Sequence, residues 1–190
     1  MSSSWRVILS GLLLAGALWV YAFSEAQKSS VNVPEWHVNT EAGFRIRPPA
    51  GWVNRVDDRD GSQIAPAKQP SNGFATLIVS TRLARDESPM PYLTDVVARP
   101  PAGPIRDLKW LREQKITMSD GGDGALGEFT ETYRGVPVHG WIVFSIRQGK
   151  VIQAVVQVPA DRSKTVEQAM LQALKSIRPL EEGCPQAFAT

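Results

Sequence analysis

The stretch Gly124–Pro159, GALGEFTETYRGVPVHGWIVFSIRQGKVIQAVVQVP, decides the fold. It reads as three consecutive strands joined by two tight turns. Val136 to Ile146 is dense in β-branched and aromatic residues, which suit a pleated, half-buried surface. Alternation puts Val138, Ile142, Phe144 and Ile146 on one face, and His139, Trp141, Val143, Ser145 and Arg147 on the other. Apolar residues on both faces mark an inner strand. Arg134-Gly135 and Gln148-Gly149 supply turn glycines, so both connections are expected to be hairpins. In the last strand Ile152, Ala154, Val156 and Val158 share a face opposite Gln153 and Gln157, the half-wet pattern of an antiparallel sheet.

Arg162 to Ile177 follows as the strongest helix in the chain. Val166, Met170, Ala173, Leu174 and Ile177 recur at three- and four-residue spacing. Asp161 is the expected N-cap, and Pro179 falls just past the end. The apolar stripe needs a sheet to rest on. The face with Val138, Ile142, Phe144 and Ile146 is the expected seat, which leaves the His139 and Trp141 face as the surface without an assigned cover.

Upstream, Glu41–Trp52 holds a short strand in which Phe44 and Ile46 alternate with Arg45 and Arg47. Pro48 and Pro49 stop it, because proline cannot donate to a sheet ladder. Gly51 allows a turn that returns Trp52 towards the core. Val53–Gly61 is a polar strand or loop, and Ser62–Ala65 a short strand. Phe74–Leu83 is a clear strand. Ser88–Ala98 reads as a short helix with Tyr92, Leu93, Val96 and Val97 on its apolar side. Lys115–Met118 is expected to be a strand leading into the meander, and residues 119–124 a loop.

The chain has 190 residues, of which 43% are hydrophobic and 21% charged, enough for one domain with a real core. Removing the first 27 residues takes away only Arg6 and Glu25, so the net charge stays +2. Charges of both signs are interspersed, which argues against a nucleic-acid surface. Val7–Phe23 is seventeen residues without a charge, preceded by Arg6, with Trp5, Trp19 and Tyr21 near its ends. Residues 1–27 are therefore read as an N-terminal membrane anchor or signal segment, with an uncleaved anchor favoured because the cleavage pattern is poor. Residues 7–23 would contact the membrane once, N-inside, with the rest outside the cytoplasm, or secreted or periplasmic if cleaved. Residues 28–40 are expected to be a linker, 41–180 the domain and 181–190 a loose tail. Cys184 is the sole cysteine, so no internal disulfide is possible.

Chemistry-bearing patterns are sparse. The two histidines are His37, in the expected linker, and His139, within a strand, and there is no G-x-S-x-G elbow. Asp57-Asp-Arg-Asp-Gly61 fails the spacing of a calcium loop and reads as a solvated turn. No phosphate-cradling glycine loop and no Cys/His metal set occurs, so no catalytic residue, cofactor or metal is expected. Of the tryptophans outside the anchor, Trp52 reads as core. His139, Trp141, Trp110 and Trp36 are the candidate partner-binding surface.

Gly43-Phe-Arg-Ile-Arg-Pro-Pro-Ala-Gly-Trp52 resembles the opening motif of the Mog1/PsbP-like family. Val155-Val-Gln-Val-Pro-Ala160, followed by the amphipathic helix with Met170 and Leu174, is similar to its ending. The resemblance spans about residues 42–180. It implies an α+β fold, an antiparallel sheet with helices on its faces (an α/β/α sandwich), and a binding or accessory module in place of an enzyme. Family members include extrinsic subunits of photosystem II, a Ran-GTPase-binding protein and exported bacterial proteins. The matching positions are core and turn residues, so no ligand-contacting residue carries over. The function expected is a membrane-anchored, extracytoplasmic, non-enzymatic module that binds a protein partner. The alternative is a small-molecule or lipid binder with a pocket between sheet and helix. A hydrolase would need a base beside a nucleophile.

Overall fold

The computed structural model describes residues 35–69, 75–99 and 105–180. Strands β1 (His37–Asn39), β2 (Phe44–Ile46), β3 (Trp52–Asp58), β4 (Gly61–Pro66) and β5 (Thr76–Leu83) lead to helix α1 (Met90–Ala98). Then come β6 (Ile105–Thr117), β7 (Asp123–Tyr133), β8 (Val136–Arg147) and β9 (Lys150–Pro159), a 3-10 turn (Ala160–Arg162), helix α2 (Ser163–Lys175) and β10 (Arg178–Pro179). The expected anchor over residues 7–23, Phe74 and Cys184 lie outside the described residues. Among the described residues no helix is long and apolar enough to cross a membrane.

The meander forms as its turn residues dictate. Arg134 and Gly135 have φ of 50° and 83°, and Gln148 and Gly149 have 51° and 72°. Two successive positive φ values give the two-residue turn whose twist matches right-handed strands. Tyr133 therefore pairs with Val136 and Arg147 with Lys150. The hairpins sit inside a seven-stranded sheet of order β3-β4-β5-β9-β8-β7-β6, antiparallel throughout. A second, three-stranded sheet, β1-β2-β10, joins the start of the domain to its end. β1 lies in the stretch expected to be linker, so the folded unit begins before residue 41.

The seat of the C-terminal helix is opposite to the one expected. Met170 and Leu174 of α2, with Ile177, pack with Trp141 and Val143 of β8 and with Ile152, Ala154, Val156 and Val158 of β9. The other face, with Ile142 and Phe144, is covered by Tyr92 and Leu93 of α1. The cause is register. The turn at Gln148-Gly149 sets Val143 beside Ala154 and Trp141 beside Val156, so the unbroken apolar face of β9 continues into the odd-numbered face of β8. That continuous surface takes the longer helix. Arg162, not Asp161, occupies the N-cap position of α2, and no side chain caps it.

β6 is thirteen residues long, where only its last part was expected. Its register slips between Arg106 and Lys109 and again between Trp110 and Arg112. Each slip shifts which side chains point inward. Trp110 accordingly packs with the α1 side and Ile116 with the α2 side, although both carry even numbers. β3 carries a similar irregularity between Asn54 and Val56.

Candidate functional site

α1 has nine residues, so it spans only about 14 Å of sheet. Tyr92 and Leu93 are fixed beneath it. The Tyr92 ring stacks on Phe144 with centroids 6.0 Å apart, and its hydroxyl accepts hydrogen bonds from the backbone N–H of Arg85 and Asp86. Beyond this contact the sheet is only half roofed, and a cleft of about 300 Å³ remains. Val96 of α1 and Arg99 just past its end form one wall, and Leu108 and Trp110 of β6 another. Phe129 and Glu131 of β7, Ile142 of β8 and Gln153, Val155 and Gln157 of β9 make the floor, with Arg82 of β5 at the far side.

Two glycines hold this floor together. A Cβ on Gly127 would lie 2.7 Å from Leu93 Cδ1, 2.8 Å from Trp110 Cζ3 and 2.9 Å from Ile142 Cγ2. A Cβ on Gly140 would meet the Phe129 ring at 2.3 Å. With both positions bare, Trp110 and Phe129 lie down on the sheet and pack tilted against each other, centroids 5.4 Å apart.

The polar side chains of the cleft are Arg82, Arg99, Glu131, Gln153 and Gln157. Glu131 is 5% exposed. Burial pushes its carboxyl above the usual glutamate range, and the hydrogen bond donated by Gln157 Nε2 offsets only part of that. Trp110 Nε1–H is buried without a hydrogen-bond partner among the described residues. Apolar walls with a buried acceptor and an idle indole donor among their polar groups can hold a mostly apolar group with a polar end. Arg82 and Arg99 are exposed, Arg82 lying 5.5 Å over the Tyr92 ring and Arg99 3.5 Å from Asp95.

The four residues singled out in the sequence do not form one site. Trp110 is half-buried and lines the cleft. Trp141 is 0% exposed beneath α2 and so belongs to the core, not to a surface. His139 stacks on Trp141 at 4.3 Å and meets Glu128 at 2.9 Å, and Glu128 in turn meets Arg112 at 2.8 Å. Trp36 stands at the three-stranded sheet, with arginines around its ring. Glu131 and Gln157 were missed. Their signal was present, since polar residues here interrupt inner strands, but only the pairing shows them side by side.

A second histidine grouping also escaped the sequence. His37 Nε2 lies 3.0 Å from Ser62 Oγ and 3.1 Å from Asp57 Oδ1. It is not arranged as a hydrolase triad. One imidazole nitrogen meets both partners, whereas a relay uses opposite nitrogens for nucleophile and carboxylate. Ser62 also donates directly to Asp57 and is 5% exposed. Asn39 Nδ2 joins the group by donating to Gly61 O (2.8 Å), Asp58 O (2.9 Å) and Ser62 Oγ (3.0 Å). The cluster pins β1 to the β3–β4 hairpin. Among the described residues no set of three His, Cys, Asp or Glu side chains is placed to hold a metal.

A seven-stranded antiparallel sheet with one helix on each face and this strand order is a Mog1/PsbP-like fold. No protein-family model and no curated protein sequence matches the chain. Solved structures do. The cyanobacterial PsbP of Synechocystis is similar at TM-score 0.58 and 16% identity, over 80% of this chain and 95% of that one. The Ran-binding protein Mog1p of Saccharomyces cerevisiae is similar at 0.52 and 11%, over 77% and 95%. LpqN of Mycobacterium tuberculosis, involved in cell envelope biogenesis, is similar at 0.50 and 15%, over 70% and 81%.

Proposed function

We propose that this chain is a non-enzymatic binding module, exported and held at a membrane by residues 7–23 with its N-terminus inside, and that it serves as an accessory subunit by gripping a protein partner in the α1 cleft. The observation that carries this reading is the half-roofed cleft with Trp110 and Phe129 on its surface. Its volume of about 300 Å³ suits one or two inserted apolar side chains. Tryptophan and arginine at the rim are the residue types that dominate binding energy at interfaces. Protein binding in a similar fold, as the name of the yeast Ran-binding protein Mog1p states, supports it. A second reading, an amphipathic small molecule or lipid, draws on Glu131 and Trp110, which both line the cleft and supply the kind of polar group that orients a bound ligand.

The test is a photo-crosslinking residue at Arg99, in the full-length chain in its native membranes. A protein adduct that disappears when Trp110→Ala is added supports the first reading. A low-mass adduct with the same dependence selects the second. Labelling no stronger than from a crosslinker at Lys164, on the opposite helix, would reject the cleft as the site. Recovery of the intact N-terminal residues from the same membranes tests the anchor separately.

A further inference from the structure

The cationic cluster around Trp36 is a different place from the cleft and is unexplained by it. Arg45 and Arg178 are directly opposed across β2 and β10. Their guanidinium carbons lie 5.0 and 5.5 Å from the Trp36 ring centroid, and that of Arg47 lies 4.5 Å away. Lys175, Arg47 and Arg178 also line a hollow of about 440 Å³ between Trp36 and the end of α2. Among the described residues, none of these four cations has a carboxylate within ion-pair distance. Like charges paired across strands repel, and no carboxylate among the described residues balances them. The Nε–H groups of Arg45 and Arg178 are moreover buried with no hydrogen-bond partner among the described residues. A buried donor left idle is costly, the more so when charged. Ser119 Oγ and backbone O lie 3.4 and 3.5 Å from Arg178 Nη2, too long to satisfy it well.

We propose that Trp36, Arg45, Arg47, Lys175 and Arg178 form a binding site for a phosphate oxyanion. Guanidinium forks match the paired oxygens of a phosphate, and the Trp36 face orients the arginine side chains. One such group neutralises the repulsion and accepts hydrogen bonds from the terminal guanidinium nitrogens and the Lys175 ammonium. Free phosphate and a phospholipid headgroup share this chemistry. The lipid source rests on the tether proposed above, because Trp36 then lies at most about 45 Å of extended chain from Phe23; free phosphate does not.

The experiment uses the full-length chain in uncharged detergent, with inorganic phosphate titrated at constant ionic strength. The readout is acrylamide quenching of Trp36, taken as the difference from Trp36→Phe. Phosphate is expected to shield Trp36 and raise the melting temperature, both saturably. Arg45→Gln and Arg178→Gln should weaken this by about tenfold or more. Arg178→Lys, which keeps the charge and guards against a folding defect, should weaken it less. Lys109→Gln, on the other sheet, should leave it unchanged. In a second arm the chain is placed in phosphatidylcholine vesicles with or without phosphatidylglycerol. Shielding only with phosphatidylglycerol, sensitive to the same variants, identifies the lipid headgroup as the source. Absence of shielding by both probes, or shielding that survives Arg45→Gln and Arg178→Gln, overturns the site.

Discussion

Gly127→Ala tests the packing that shapes the cleft. The new methyl would sit under 3 Å from atoms of Leu93, Trp110 and Ile142, closer than carbon atoms approach. Leu93 is 0% and Ile142 3% exposed, both locked between α1 and the sheet. Trp110 is half-buried at an open wall, so its ring is the one that yields, and it yields into the cleft. Overpacking of this kind costs about 1–3 kcal/mol. Alanine restrains the unfolded chain and returns about 0.4–1 kcal/mol. The net expectation is a loss of roughly 0.5–2 kcal/mol. Urea unfolding followed by circular dichroism measures it as a lowered midpoint at unchanged slope. The decisive comparison is the pair Gly127→Ala with Trp110→Ala. Removing the ring removes the obstruction, so the double variant should lose less than the two single losses together. Strict additivity, or a Gly127→Ala protein as stable as the parent, would refute the packing described.

Two further outcomes follow from buried polar atoms. Because burial raises the Glu131 carboxyl in the folded state, the folded chain holds that proton more tightly than the unfolded chain. Stability contributed by this group is present at low pH and is lost as pH rises above the ordinary glutamate range; melting curves across that window should fall less steeply for Glu131→Gln, and an unchanged slope would contradict the burial. Trp141→Phe gives up ring contacts beneath α2 but removes an indole N–H that is buried without a partner among the described residues. The two effects oppose, so the variant should lie within about 1 kcal/mol of the parent by chemical denaturation, and a loss several times larger would refute this balance.

The meander was legible because its signals are local. Arg134-Gly135 and Gln148-Gly149 fix two turns, and β-branched density fixes three strands. The amphipathic stripe of Val166, Met170 and Leu174 was equally plain. The choice of face was not, because each strand was read alone and β8 is apolar on both sides. The turn already contained the answer: a two-residue loop at Gln148-Gly149 forces Arg147 beside Lys150, which aligns Trp141 with the dry side of β9. β6 was hidden for another reason. Its register slips break the alternation that betrays a strand, and its outward positions carry Arg106, Lys109, Arg112 and Lys115. The cleft joins Arg82 to Gln157 and Trp110 across six elements, and single-strand patterns cannot express such a neighbourhood. The Trp36 cluster likewise depends on β10 returning to β2, more than 130 residues along the chain.

The register slips of β3 and β6 have a consequence for how copies of this protein meet. These are the two outer strands of the seven-stranded sheet, and an unbroken outer strand offers its free N–H and C=O row to any neighbour. Here one is interrupted between Asn54 and Val56 and presents Arg55, Asp57 and Asp58 to solvent. The other is interrupted twice, turns through a positive φ of 55° at Asp107, and presents a row of lysines and arginines. Two such borders cannot be laid side by side over more than a few residues. Interrupted and charged borders of this kind disfavour lengthening of the sheet from molecule to molecule.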